Sequence, residues 1–329
     1  MAAEIIPASA GEAVTAAAPG SRADRLISYA HRADGSEESF PLIVIRGAAD
    51  GPTVALTAGV HGDEYEGPAA LWKLAEAIDP ARLRGTLRLV PIANPRAFAA
   101  GTRTSPVDNE NLARIFPGDP TGTLSHRLAH ALMHSVVEGA DILIDSHSGG
   151  VRLAFLPVAG FYEGGDIAPE VSARSLRIAR QMGLDHLWLL PPVTGVLSHE
   201  AARRGIAVCG AEIGGRGNCL REDADNYLGA YLSVLAHNGM IDAAHKRVET
   251  TSCLEGDWEQ TPDAGYLETL VVLGDRVRAG QPVAVLHDSL GRTVREFRAA
   301  SDGIVMAVRH LNSVGPADLA TCVVKETTR

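Results

Sequence analysis

The sequence has no run of five or more basic residues, no CxxC pair and no apolar stretch of membrane-spanning length. Its 30 lysines and arginines are outnumbered by 40 aspartates and glutamates, which gives a formal net charge of -10. Because nucleic acids are bound through basic surfaces, this balance argues against a nucleic-acid partner. Apolar runs such as residues 54–60 are far shorter than the roughly 18 residues of a membrane helix, so no membrane association is predicted.

Cysteine is also scarce and shows no pattern. The four cysteines are scattered along the chain at Cys209, Cys219, Cys253 and Cys322. This spacing is typical of reduced thiols in a cytoplasmic protein rather than of a disulfide framework, and it disfavours zinc held by thiolates. The Ala-rich N-terminus has no basic residues ahead of a continuous apolar segment, so residues 1–24 are predicted to be a loosely ordered lead-in rather than a secretory signal.

What the chain does have is 46% apolar residues over 329 positions, which is enough for one large domain and a smaller second one. Short apolar runs alternate with segments of helical periodicity. Strands are predicted at 53–60, 86–93, 140–145 and 206–213, after a hairpin around 34–35, and helices at 67–78, 124–137 and 224–237. Buried strands interleaved with helices are typical of a mixed, mainly parallel sheet flanked by helices. We therefore predict an α/β domain over residues 25–250.

The pattern changes near residue 251. Short apolar runs broken by GD, AG and DG turns continue from there, with little helical periodicity. This pattern predicts a small β domain over residues 251–329. Ligands of parallel sheets bind beyond the carboxyl ends of the strands, so candidate functional residues are expected at the strand ends of the larger domain.

Two polar clusters follow predicted strands. The segment GVHGDE carries His61 and Glu64, and DSHSGG carries His147. Imidazole and carboxylate are ordinary zinc ligands, and three such groups with an open position make a catalytic site. An isolated HxxE in a chain with 12 histidines is better explained as a surface loop, but the second cluster at the same sheet edge favours a metal. Asp145 either accepts the second N–H of a ligand histidine or caps a turn.

A third acidic residue, Glu212 in AEIGG, closes the apolar strand at 206–213. A carboxylate is rarely placed at the end of a buried strand without a function. Beside a metal, Glu212 is a candidate general base that takes a proton from water and passes it to a leaving amine. The alternative is a salt-bridged structural glutamate.

The loop over residues 94–118 is long for a compact domain, and loops of this length are usually functional. Its arginines, which include Arg103 and Arg114, are candidates to stabilise an oxyanion and to clamp a substrate carboxylate. Taken singly, each is better explained as a solvated surface group.

A rival metal site is offered by His126, His130 and His134, which share one face of the predicted helix at 124–137. That helix has no glutamate in an HExxH arrangement, so these histidines are predicted to be structural. The glycine-rich segment 214–217 is predicted to give the backbone beside the site conformational freedom rather than to bind phosphate.

Taken in order, the motifs GVHGDEYEG, NPRAF with GTR, DNENLARIFPG, DSHSGG and AEIGG resemble those of the succinylglutamate desuccinylase/aspartoacylase family, a deacylase branch of the zinc carboxypeptidase superfamily. The resemblance spans most of the chain and implies one zinc ion per chain. The implied ligands are His61, Glu64 and His147. Glu212 would act as general base and acid, and Arg103 would polarise the scissile carbonyl.

The same resemblance implies that Arg114 holds a substrate carboxylate. The family usually has Leu-Asn-Arg where this chain has Leu112-Ala113-Arg114, so Asn111 is the candidate to replace the missing substrate-binding amide. Within the family, the NLARIFPG variant is similar to deacetylases that act on N-acetylated diaminobutyrate. The implied reaction is therefore hydrolysis of the linear amide of a small N-acyl amino acid.

The C-terminal region resembles the biotinyl or lipoyl barrel of this family, with LGDRVRAGQPVAVLHD and SDGIV as its marks. A carrier domain needs a lysine in its turn, whereas the only lysine after residue 251 is Lys325, outside the hairpin. We therefore predict a structural or substrate-gating domain without an attached cofactor.

Two alternatives remain open. A metallocarboxypeptidase that cleaves peptides would share the metal and Glu212 but would accept a longer acyl portion. A catalytically silent zinc-binding or ligand-binding protein would use the β domain as an interaction module, although Glu212 beside three ligands argues against it. The sequence is compatible with a homo-oligomer, and it does not distinguish zinc from another divalent metal.

Overall fold

The computed structural model describes residues 3–32, 34–243, 252–256 and 258–328. The strands are β1 (Glu4–Pro7), β2 (Ser21–His31), β3 (Glu37–Arg46), β4 (Ala49–Ala58), β5 (Arg84–Val90), β6 (Ile142–His147), β7 (Leu153–Phe161), β8 (His186–Leu189), β9 (Ala207–Gly215), β10 (Ser252–Glu255), β11 (Trp258–Gln260), β12 (Gly265–Thr269), β13 (Arg276–Val277), β14 (Pro282–His287), β15 (Thr293–Arg298), β16 (Gly303–Arg309), β17 (Ser313–Val314) and β18 (Leu319–Thr328). The α-helices are α1 (Glu66–Ala77), α2 (Pro95–Ala100), α3 (Leu124–Leu132), α4 (Pro169–Gln181), α5 (Leu197–Arg203) and α6 (Arg221–His237). Within the described ranges, none of these helices combines the length and the apolar character needed to cross a bilayer.

The centre of the large sheet consists of four mutually parallel strands in the order β5-β4-β6-β9. Their sequences are continuously apolar because both faces of the sheet are covered. Leu56 and Ile144 belong to a core shared with α1 and α6, while Ala55 and Leu143, one residue away, belong to a core shared with α3 and α5. The apolar runs predicted as strands overlap these four strands.

The sheet is mixed, as predicted, but the prediction that it is mainly parallel is not confirmed. The parallel centre is flanked by antiparallel neighbours on both sides, with β3 against β5 and β7 against β9. The connection from β6 to β7 covers only residues 148–152, and a parallel return needs a crossover of a dozen or more residues. Apolar runs reveal burial but not strand direction, so the antiparallel pairings could not be predicted from the sequence.

The described part of the predicted lead-in, residues 3–24, contains regular secondary structure. From Glu4 onward, the described residues form β1, which pairs in parallel with β2, and a 3-10 helix at Ala8–Thr15. Val14 in this helix is fully buried, so the segment has an apolar anchor in the core. The interval 151–203, where the sequence suggested no elements, contains β7, α4, β8 and α5.

The C-terminal region is rich in strands, as predicted. β12, β14, β15 and β17 form a separate four-stranded sheet, whereas the other C-terminal strands join the large sheet. β7, β8, β10, β18 and β16 pair in that order, and β16 returns to β7, so five strands close a ring. Four apolar side chains from different strands of this ring share one cluster: Phe155, Trp188, Leu254 and Met306. The boundary at residue 251 remains a prediction, and strands from both sides of it are hydrogen-bonded together.

Candidate metal centre and catalytic cavity

Three loops meet at the carboxyl ends of the parallel strands β4, β6 and β9. His61 lies three residues after β4, and His147, the last residue of β6, is the register partner of Glu212 in β9. The loop after β4 packs closely against α2 and the residues that follow it. Gly62 in this loop donates its N–H to the Thr102 carbonyl at 3.0 Å. A Cβ at Gly62 would lie 1.9 Å from the Ala97 carbonyl carbon, so this close approach requires glycine.

His61, Glu64 and His147 form a compact buried cluster. Each offers one ligand atom, and these atoms all lie within 4.8 Å of one another. His61 Nδ1 is 2.7 Å from Glu64 Oε1, and His147 Nδ1 is 3.0 Å from Glu64 Oε2. Both imidazoles therefore turn the same nitrogen toward the shared carboxylate. No other group of this kind occurs in the part of the chain that the structure describes.

The outer nitrogens of both histidines have oxygen partners. His147 Nε2 lies 3.3 Å from Asp145 Oδ2, and the other Asp145 oxygen accepts the Thr57 hydroxyl at 2.7 Å. His61 Nε2 lies 3.2 Å from Asn111 Oδ1. Donation of Nε2–H to these oxygens leaves each Nδ1 as a lone pair facing Glu64, which is the tautomer that a metal ligand needs.

The electrostatics of the cluster are set by burial and by the mutual contacts of its three side chains. Burial alone would raise the pKa of Glu64, but His61 and His147 hold it well below its usual range. Burial lowers the pKa of His61, whereas at His147 the carboxylates of Asp145 and Glu64 outweigh burial and raise the pKa. Two imidazoles and a carboxylate are the donor set of catalytic zinc sites, so these residues fit a divalent metal.

Glu212 stands beside the cluster as a second type of carboxylate. Its Oε2 atom is buried and has no hydrogen-bond partner among the described residues. Burial raises the pKa of Glu212 to about 8, against the opposing effect of His147. A carboxyl group with a pKa near neutrality can both accept and return a proton, which is the requirement for a general base and acid.

The arginines of the long loop lie at the same cavity. Arg103 Nη1 is 3.2 Å from Glu64 Oε1, with 41% of its side chain exposed. Arg114 is exposed, and its Nη1 donates to the Ala113 carbonyl at 2.7 Å. Both line a cavity of about 540 Å³ that also reaches His61, His147 and Glu212.

The structure thus brings together the residues singled out from the sequence: His61, Glu64, Asp145, His147, Glu212, Arg103, Asn111 and Arg114. The rival histidines do not form such a group among the described residues. The His130 and His134 rings are 4.2 Å apart, and His134 is paired with Glu138 at 2.9 Å. His130 lies on α3, and His134 lies in the π-helical turn that follows this helix.

Sequence reasoning missed part of the cavity wall. Trp258, Arg309 and Asp318 from the C-terminal region line the cavity, as does Arg152 from the loop after β6. No motif marks these positions, because they reach the site only through the closed ring of strands. Asp63 is also part of the lining, and its place between two predicted ligands was a signal that could have drawn attention to it.

With this fold and site, the chain belongs to the succinylglutamate desuccinylase/aspartoacylase family, whose catalytic domain matches residues 50–238. The resemblance drawn from the motifs is therefore confirmed. Among its relatives is the N-alpha-acetyl-L-2,4-diaminobutyric acid deacetylase of Halomonas elongata, which is 32% identical over 292 residues, or 85% of this chain and 83% of that protein.

Solved structures agree with this membership. The product-bound structure of the ectoine utilization protein EutE (DoeB) from Ruegeria pomeroyi superimposes with a TM-score of 0.84 at 28% identity, covering 92% of this chain and 94% of that one. A succinylglutamate desuccinylase/aspartoacylase from Rhodobacter sphaeroides gives a TM-score of 0.83 at 29% identity, covering 92% and 96%. The proteins from Halomonas elongata and Rhodobacter sphaeroides carry the names of deacylases.

Proposed function

We propose that this protein is a zinc-dependent deacylase that hydrolyses the amide of a small N-acyl amino acid. The observation that carries the proposal is the convergence of two imidazole Nδ1 atoms on Glu64, with Glu212 beside them, whose Oε2 has no hydrogen-bond partner among the described residues. One group of residues suits a metal, and the other suits proton transfer. An arrangement that served only to bind a metal would have no use for a desolvated carboxyl group at this position.

His61, Glu64 and His147 would hold one zinc ion, which when bound supplies a Lewis acid for the carbonyl and for the attacking water. Asp145 and Asn111 fix the two imidazole rings through their outer nitrogens. The ring orientations are therefore set before any metal arrives, which lowers the cost of assembling the site.

Glu212 takes the proton of the attacking water as its oxygen bonds to the acyl carbon. The same carboxyl group then delivers that proton to the amide nitrogen as the C–N bond breaks, giving a carboxylic acid and an amine. We expect Arg103, which lies beside Glu64, to stabilise the negative charge that develops on the carbonyl oxygen. Arg114 offers a forked guanidinium to the substrate carboxylate.

The names of the relatives support N-acetyl-diaminobutyrate as the substrate. The protein from Halomonas elongata is a deacetylase for this compound by name, and the match extends over most of both chains. The cavity of about 540 Å³ is of a size suited to a small metabolite. We therefore propose a small acylated diamino acid rather than a long peptide.

A substrate panel with metal analysis tests the proposal. The panel contains Nα-acetyl-2,4-diaminobutyrate, N-acetylaspartate, N-succinylglutamate and a blocked dipeptide with a free C-terminus. We expect hydrolysis of an acyl amino acid, loss of activity on chelation, and recovery with one equivalent of zinc. Cleavage of the dipeptide alone would favour a carboxypeptidase, and no cleavage by the zinc-loaded protein would favour a silent binding protein.

A further inference from the structure

Asp63 lies between the two proposed ligands of the first motif and has no role in the mechanism above. It is 3% exposed and lines the catalytic cavity. Its Oδ2 accepts the Val151 backbone N–H at 3.1 Å. Its Oδ1 is buried and, among the described residues, has no hydrogen-bond partner. A buried carboxylate with one unpaired oxygen is costly unless a ligand completes it.

The Asp63 carboxylate is held in place by the loop that follows His147. Gly150, with φ +54°, packs directly on it, and a Cβ there would lie 2.5 Å from Asp63 Oδ2. This contact, together with the bond from Val151, prevents the side chain from turning toward solvent. The Asp63 carboxylate is therefore fixed in the wall of the cavity.

The other charges of the cavity wall are largely matched within the protein. Asp318 is 3.0 Å from Arg152 and 3.1 Å from Arg309, and it also accepts the Gly315 N–H. Arg103 is paired with Glu64. Asp318 is therefore shared by two guanidinium groups, and Arg103 already has a carboxylate partner.

Arg114 and Asp63, which are opposite in charge, differ from these groups. The guanidinium of Arg114 bonds only to a backbone carbonyl among the described residues, and Asp63 bonds only to a backbone N–H. A ligand that complements both carries a carboxylate and a cation. An N-acyl diamino acid has this charge pattern, because its second amine is free and protonated.

We infer that Asp63 binds the free ammonium group of the substrate and so selects acylated diamino acids over acylated neutral or acidic amino acids. This inference rests on the proposed deacylase function. An acidic substrate would place its second carboxylate in the same cavity as Asp63, and like charges repel. A neutral substrate would leave the buried oxygen unpaired.

The test compares two substrates with the same carbon chain, Nα-acetyl-2,4-diaminobutyrate and Nα-acetyl-2-aminobutyrate, which lacks the ammonium. The native enzyme is expected to favour the first in kcat/KM by about 10- to 150-fold, the range for a hydrogen bond to a charged group. In Asp63→Asn this ratio should fall to about one. The ratio is taken within one preparation, so losses of metal or folded protein cancel.

Glu222→Gln is the control, because it removes an exposed carboxylate outside the cavity and should retain the native ratio. Retention of the full ratio in Asp63→Asn would show that Asp63 is not the ammonium site. A native ratio near one would overturn the inference while leaving the deacylase intact. Failure of the native enzyme to cleave either substrate or any other acyl amino acid would instead reject the proposed function.

A second measurement covers the case in which Asp63→Asn does not fold. Inhibition of the native enzyme by the two free amines, 2,4-diaminobutyrate and 2-aminobutyrate, reports on the same ammonium contact. The diamine should inhibit about tenfold or more strongly. Equal inhibition by both compounds would contradict the inference.

Discussion

Asn111 Oδ1 lies 3.2 Å from Nε2 of His61, on the side of the imidazole that faces away from Glu64. The same oxygen accepts the Ala113 N–H at 3.0 Å, so the amide is fixed at the start of the short 3-10 helix at Leu112–Arg114. Asn111 was predicted from the motif to bind substrate. Its contacts instead favour a positioning role, in which it sets the tautomer and the ring angle of a metal ligand.

Asn111→Ala should therefore weaken metal binding by about 10- to 100-fold, as the loss of an outer partner of a metal-bound histidine usually does. The apparent zinc affinity is measured by competition with a chromogenic chelator. Val107→Ala, an exposed side chain in the same loop, is the control and should leave the affinity unchanged. If Asn111→Ala keeps native zinc affinity but raises KM, the substrate-binding prediction is the better one.

The sequence was most informative at the central strands. Apolar runs that end in His147 or Glu212 could be predicted to meet, because parallel neighbours share one carboxyl edge. The contacts of Asn111 and Asp63 could not be predicted, since they depend on how two loops pack across 50 or 88 positions of the sequence. Spacing rules do not reach over such separations.

The same limit applies to the larger fold. β7 pairs antiparallel with β9, and this direction follows from the short connection between β6 and β7. Apolar periodicity gives no information on the direction of a strand. The contribution of Arg309 and Asp318 to the cavity depends on β16 returning to β7, an antiparallel pairing between segments about 150 residues apart. Contacts between residues on the two sides of a predicted domain boundary cannot be inferred from composition.

His147→Ala should abolish stoichiometric zinc binding, because it removes one of three ligands and leaves Glu64 with one imidazole partner instead of two. Elemental analysis of the purified variant measures this directly. His130→Ala is the matched control, since it removes a histidine of the rival group on α3 and should keep one zinc per chain. The opposite pattern, with zinc lost only from His130→Ala, would move the metal to the helix.

Asp318→Asn should lower the free energy of unfolding by about 1–3 kcal/mol, since it leaves the Arg309 guanidinium, whose side chain is 4% exposed, without its counter-charge. Urea unfolding measures the loss. Arg152 is the other partner of Asp318, and 55% of the Arg152 side chain is exposed. Arg152→Ala should therefore lower the free energy of unfolding by less than about 1 kcal/mol. Equal losses in both variants would show that the contribution of the Arg309–Asp318 pair to stability does not depend on the burial of Arg309.

Arg114→Ala should mainly raise KM, by about 10- to 100-fold, because a charge-assisted hydrogen bond to the substrate carboxylate is lost. Steady-state kinetics with the acyl amino acid measure the effect. The carboxamide analogue of the substrate provides the matched comparison, since native enzyme and variant should cleave it with similar KM. Equally good cleavage of the carboxamide and the free acid by the native enzyme would remove this role from Arg114.

Glu212→Gln should separate metal binding from chemistry. The glutamine keeps the shape of the side chain but cannot take a proton from water or return it to the departing nitrogen, so kcat should drop by roughly 10² to 10⁴. His61, Glu64 and His147 are untouched, and zinc content and KM should stay near native. Glu222→Gln, an exposed position at the start of α6, controls for the charge change. A structural Glu212 predicts loss of thermal stability together with activity, whereas a folded, zinc-loaded variant with native kcat would exclude Glu212 from proton transfer.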